Sequence, residues 1–103
     1  MSEREIQKTI LDYLQLQENM GKCYCFRAGS GLIKTERGGY FKTGKKGCPD
    51  ILCLIRSIFV AFEVKAPKGR QSDEQKVTQK KIEKLGGVYK VAKSLEDVIE
   101  EFA

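Results

Sequence analysis

Asp50-Ile51-Leu52-Cys53-Leu54-Ile55-Arg56-Ser57-Ile58-Phe59-Val60-Ala61-Phe62-Glu63-Val64-Lys65 is the stretch that decides the fold. Its first half is a nearly continuous apolar run, Arg56-Ser57 suggests a tight turn, and the second half alternates as a strand does. Ile58, Val60, Phe62 and Val64 share one face, and Phe59, Ala61, Glu63 and Lys65 share the other. Both charged residues therefore leave the core together at the end of the second strand. Pro67 ends that strand because it cannot donate a ladder hydrogen bond.

Working outward, Ser2 opens a helical pattern with Ile6, Ile10, Tyr13 and Leu14 at three- and four-residue intervals, running to about Gly21. Projected at about 100° per residue, Glu3 falls in the apolar stripe and Glu5 points toward solvent. Lys22 to Arg27 reads as a short strand. The segment from Gly29 to Gly47 holds six of the ten glycines and reads as a long loop, with room for a short hairpin arm at Tyr40 and Phe41. A loop of this length in a small domain is usually functional or disordered. Ser72 with Gln75 three residues later forms a capping-box pattern for a second helix, with Thr78, Ile82 and Leu85 inward, stopped by Gly86-Gly87. Val88 to Ala92 is a further strand, and Ser94 caps a last helix carrying Leu95, Val98, Ile99 and Phe102.

The resulting order is helix, three strands, helix, strand, helix, which predicts an α/β fold with a mixed β-sheet flanked by helices. At 103 residues the chain has room for one domain, 1–103, and one domain must then do everything. With 41% hydrophobic and 32% charged residues it reads as a globular chain without a signal pattern or a bilayer-spanning run, so a cytoplasmic protein with no membrane partner is expected. Cys23, Cys25, Cys48 and Cys53 contain no C-x-x-C pair and there is no histidine, which argues against a zinc site and removes histidine-based catalysis. Cys23 and Cys25 read as reduced, partly buried thiols in a strand.

Nineteen Lys and Arg against fourteen Asp and Glu leave a net charge of +5, which favours a polyanionic partner. The basic residues cluster at Lys42, Lys45 and Lys46, at Lys68 and Arg70, and at Lys76, Lys80 and Lys81, around the acidic candidates. That placement points to nucleic acid, with Lys34, Arg37, Lys42, Lys45 and Lys46 on a loop able to close on phosphates. Asp50 and Glu63 offer the hard oxygen donors that Mg²⁺ or Mn²⁺ takes, with the Val64 carbonyl as a backbone ligand and waters filling the shell. Lys65 would orient a water or stabilise charge developing on a phosphate. Phosphodiester hydrolysis is the chemistry this set suits, against the plainer alternative of a turn aspartate and a solvated strand end.

Gly47-Cys48-Pro49-Asp50-Ile51, Phe62-Glu63-Val64-Lys65-Ala66-Pro67 and Ser72-Asp73-Glu74-Gln75 together resemble the virus-type replication-repair nuclease (VRR-NUC) domain of the PD-(D/E)xK nuclease superfamily. The resemblance covers nearly the whole chain. It implies a restriction-endonuclease-like αβββαβ core, divalent-metal-dependent DNA cleavage and kinship with Holliday junction resolvases. It assigns metal binding to Glu3, Asp50 and Glu63, catalysis to Lys65, and a place near the site to Gln75, whose capping-box position offers a competing structural role. The segment from Gly31 to Phe41 is longer than the resemblance leads one to expect. The implied activity is structure-specific endonucleolytic cleavage of branched DNA such as a four-way junction by a homodimer, in a bacterial host cell if the chain is viral. The alternative is a nucleic-acid-binding module that keeps the fold without cutting.

Overall fold

The computed structural model describes residues 1–28, 31–43 and 46–103, with the backbone alone for 31–34 and 41–43. Helix α1 (Glu3–Asn19) begins at Ser2, whose hydroxyl accepts from the Glu5 N–H while the Glu5 carboxylate accepts from the Ser2 N–H. Two amides that helix geometry leaves without partners are satisfied this way. The hydrogen bonds from Ser2 also hold the Glu5 carboxyl below its ordinary value. Ile6, Ile10 and Leu14 form the buried stripe.

Strands β1 (Tyr24–Arg27), β4 (Ile51–Ile55), β5 (Ile58–Val64) and β6 (Val88–Ala92) make a four-stranded sheet in the order β1-β4-β5-β6. The first three are antiparallel neighbours, and β6 runs parallel to β5 after the crossover through helix α2 (Asp73–Lys84). Strands β2 (Gly31–Lys34) and β3 (Tyr40–Thr43) form a separate two-stranded hairpin. Residues 31–43 of the glycine-rich segment are thus a paired arm that includes Tyr40 and Phe41.

One face of the main sheet carries Ile51, Cys53, Ile55, Val60, Phe62 and Val64, buried against α1 and against Val98 of helix α3 (Leu95–Ile99). Tyr13 and Phe102 close that layer edge to face, with ring centroids 5.6 Å apart. At the β4–β5 turn Arg56 and Ser57 both take positive φ, 51° and 67°. Such turns favour glycine or asparagine, and here the Arg56 guanidinium donates to the carbonyls of Phe102 and Ala103 at 2.9 and 3.0 Å, tying the turn to the 3₁₀ turn Glu100–Phe102.

The other face is covered by α2 only over the β5–β6 side. Thr78 and Ile82 are half-buried as expected, but Leu85 is exposed because it sits at the C-cap, where the helix has reached its end. Ser94 occupies the N-cap position of α3 without a side-chain cap bond; the neighbouring Lys93 N–H is taken instead by the Asp97 carboxylate at 2.8 Å. Among the described residues no helix is long and apolar enough to cross a membrane.

Candidate active site

The face-alternation of β5 brings Glu63 out on the side opposite the α1 core, yet Glu63 does not reach solvent. It is 2% exposed, because α2 starts directly over it. Gln75 explains how. Its amide oxygen accepts from the Ser72 N–H at 2.8 Å, completing the α2 capping box, while its Nε2 donates to Glu63 Oε1 at 2.6 Å. The structural and site roles of Gln75 coexist, one on each end of the same amide. Lys65, also on this face, places Nζ 3.6 Å from the same Oε1. Glu63 Oε2 is buried with no hydrogen-bond partner among the described residues.

Asp50 stands at the start of β4, beside Glu63, in the register that pairs Ile51 with Phe62. Its Oδ2 accepts from the Val64 N–H at 2.8 Å. Lys65 N donates to Ala92 O on β6, so Val64 must turn its own N–H and C=O toward β4. Extending the β4–β5 register by two rungs sets Pro49 opposite Val64. Proline has no N–H, so it offers the Val64 carbonyl nothing. The Pro49-Asp50 pair thereby does two things: the aspartate takes the Val64 amide, and the proline leaves the Val64 carbonyl without a donor from β4.

Asp50, Glu63 and Gln75 line a polar cavity of about 310 Å³ with Arg27, Lys46, Cys48 and Glu74. Gly47 shapes its wall. It has φ +77°, and a Cβ there would meet the Glu74 carbonyl oxygen at 2.7 Å, so the loop can approach the first turn of α2 only as glycine. Lys46 reaches across the same gap to Glu74, 3.0 Å from Oε1, and holds the Glu74 carboxyl below its ordinary value. Burial pushes the Glu63 carboxyl up from 4.5 to about 8, the Asp50 charge pushes the same way, and Lys65 opposes them. Burial also raises the Tyr89 phenol to about 12; its hydroxyl is buried without a partner among the described residues.

A buried carboxylate oxygen without a donor, next to a second carboxylate, is the arrangement a hard cation relieves. Among the described residues no three carboxylate or thiol side chains stand together as a complete ligand set. Mg²⁺ does not need one, since it keeps several waters and is held by one or two carboxylates plus substrate phosphate. Asp50, Glu63 and the Val64 carbonyl therefore fit such an ion.

Glu3 is not part of this constellation. It is exposed on the first turn of α1, and it lines a neighbouring groove with Arg4, Lys8 and Arg27. Glu3 lies one turn before Ile6 on the stripe that Ile10 and Leu14 continue, but burial begins only at Ile6. Lys68 and Arg70 are exposed beyond the Lys65 end of β5, Arg70 in a separate basic groove with Lys76 and Lys93. Lys45 and the side chains of Lys34 and Lys42 lie outside the described residues. Arg27 is the cavity residue that sequence reasoning missed. It closes a four-residue strand, and only the β1–β4 pairing of Arg27 with Ile51 brings it next to Asp50.

Compared with protein-family models, with curated proteins and with solved structures, the chain matches none.

Proposed function

We propose that this protein is a divalent-metal-dependent endodeoxyribonuclease that hydrolyses phosphodiester bonds at the Asp50–Glu63–Lys65 site. The observation that supports it most is Glu63: a carboxylate buried beside Asp50, with one oxygen fixed by Gln75 and Lys65 and the other left without a partner. Burying a carboxylate this way costs stability in the metal-free protein. A binding surface for phosphates has no chemical use for two adjacent carboxylates, which repel the ligand.

When bound, Mg²⁺ or Mn²⁺ would polarise a phosphoryl oxygen and make a bound water more acidic. Gln75 keeps Glu63 Oε1 occupied, so that Oε2 is the oxygen that would hold the ion. Asp50, anchored by the Val64 amide, holds the second carboxylate at a fixed separation across the strand pair. Lys65 Nζ donates a hydrogen bond either to the attacking water or to the phosphate oxygen on which charge develops. Arg27 and Lys46 at the cavity, with Arg70, Lys76 and Lys93 in the groove beyond, provide cations for the flanking phosphates. Branched DNA such as a four-way junction is the proposed substrate class and a homodimer the proposed assembly, since one small site cuts one strand and paired incisions need two.

The test is a panel of junction, flap, fork and linear DNAs incubated with Mg²⁺ or Mn²⁺. Cleavage that depends on the ion and stops with EDTA is expected. DNA binding with no cleavage of any member would instead favour a non-catalytic binding module.

A further inference from the structure

On the sheet face that carries Asp50 and Glu63, the register of β1, β4 and β5 stacks side chains in rows. The row nearest the carboxylates holds Phe26, Leu52 and Ala61, and the next holds Tyr24, Leu54 and Phe59. Helix α2 packs over β6 and leaves the β1–β4 half of this face open. Tyr24 is 62% exposed and Phe26 49%, and Leu54 and Phe59 beside them are exposed too. The Tyr24 and Phe26 rings lie 6.2 Å apart between centroids, tilted by 50°.

We propose that Tyr24 and Phe26 form a stacking platform for unpaired nucleobases next to the phosphate to be cut. This rests on the nuclease reading and specifies its substrate. Alternate residues of a strand are about 6.8 Å apart, so Phe26 sits about one such step and Tyr24 about two from the carboxylate row. A strand with its phosphate between Asp50 and Glu63 can therefore run down β1 and lay successive bases over the two rings. Charge agrees with that course, because Arg27 follows Phe26 directly and lines the cavity with Lys46. The platform is apolar and aromatic where bases would lie, with the Arg27 cation between it and the carboxylates. Bases within a duplex have their faces already stacked, so only unpaired nucleotides can use the rings. The structure thus favours cutting beside a single-stranded segment, as at a flap or an opened junction arm, over cutting intact duplex.

The experiment measures binding of a labelled single-stranded oligonucleotide and of the matching blunt duplex by anisotropy in EDTA, where no cutting occurs. Tyr24→Ala and Phe26→Ala should each weaken single-strand binding by about 5- to 100-fold and leave duplex binding and the thermal melt unchanged. Phe26→Tyr should restore it. The chain contains no tryptophan, so Tyr24→Trp gives a single reporter whose fluorescence the single strand, but not the duplex, should quench. Single-strand binding unchanged in both alanine variants overturns the proposal. So does a wild-type dimer in sedimentation that Tyr24→Ala dissociates, which would assign the face to a second copy. Ring-dependent binding without any cleavage by the wild type would sustain the platform and remove the nuclease reading; cleavage with ring-independent binding would do the reverse.

Discussion

Replacing Glu63 by glutamine should make the metal-free protein more stable while removing its response to Mg²⁺. The folded protein holds the Glu63 proton up to about pH 8, against an ordinary value of 4.5. A carboxyl raised in the folded state contributes stability fully below about pH 4.5 and loses it as the pH rises to about 8, because only the unfolded chain has released the proton over that window. At about 1.4 kcal/mol per pH unit the ceiling is about 5 kcal/mol. The cavity admits solvent, so about 2 kcal/mol is the more realistic figure, or about 10 °C in Tm for a domain of this size. Glutamine does not titrate, keeps an oxygen for Gln75 and Lys65, and turns an N–H₂ toward the Asp50 side. Melts of wild type and Glu63→Gln in EDTA should coincide near pH 4.5 and diverge toward pH 8, with the variant higher. Millimolar Mg²⁺ at pH 8 should raise the wild type by mass action and leave the variant unmoved. A variant less stable than wild type by the same margin at both pH values would show that Glu63 is an ordinary structural carboxylate.

Asp50→Ala should cost about 1–3 kcal/mol by leaving the Val64 amide without its acceptor, while Asp50→Asn keeps that bond and folds as wild type; denaturant melts compare them, and both should lose cleavage. Gln75→Ala removes the side-chain half of the capping box, the acceptor for the Ser72 N–H, and the Glu63 contact together, so it should lower Tm and slow cleavage, whereas Ser72→Ala, which removes the other half, should lower Tm by a similar amount and leave cleavage near wild type. Cys25 and Cys53 are directly opposed on β1 and β4. The Ala28 N–H donates to Asp50 O, which makes alternate pairs hydrogen-bonded and places Cys25–Cys53 at a close, non-hydrogen-bonded position. Diamide should therefore link these two cysteines, and peptide mapping that found Cys48 in the main product would refute the register.

The hairpin from β4 to β5 and the parallel return to β6 were legible because period-two alternation, a two-residue turn and a capped helix each leave a mark in sequence. So was the meeting of Asp50 with Glu63, since that turn sets the register and the register sets the opposition. What alternation could not reveal is depth. It put Glu63 on the outer face, and only the docking of α2 through Gln75 buries it. For Glu3 the same limit worked in the other direction, because a helical projection gives an angle and says nothing about where along the axis the core begins. Lys46 stood out as part of a basic cluster, whereas Arg27 reaches the cavity through strand pairing, which leaves no local pattern. The bare aromatic half of the sheet likewise depends on how far α2 extends across it.

The central claim, that the site built on Asp50 and the buried Glu63 cuts DNA, is tested most directly by following one labelled four-way junction with Mn²⁺ and equal amounts of folded wild type and Glu63→Gln. The account predicts strand cleavage by the wild type and none by the variant, although the variant is the more stable protein. Cleavage by Glu63→Gln at the wild-type rate would contradict it.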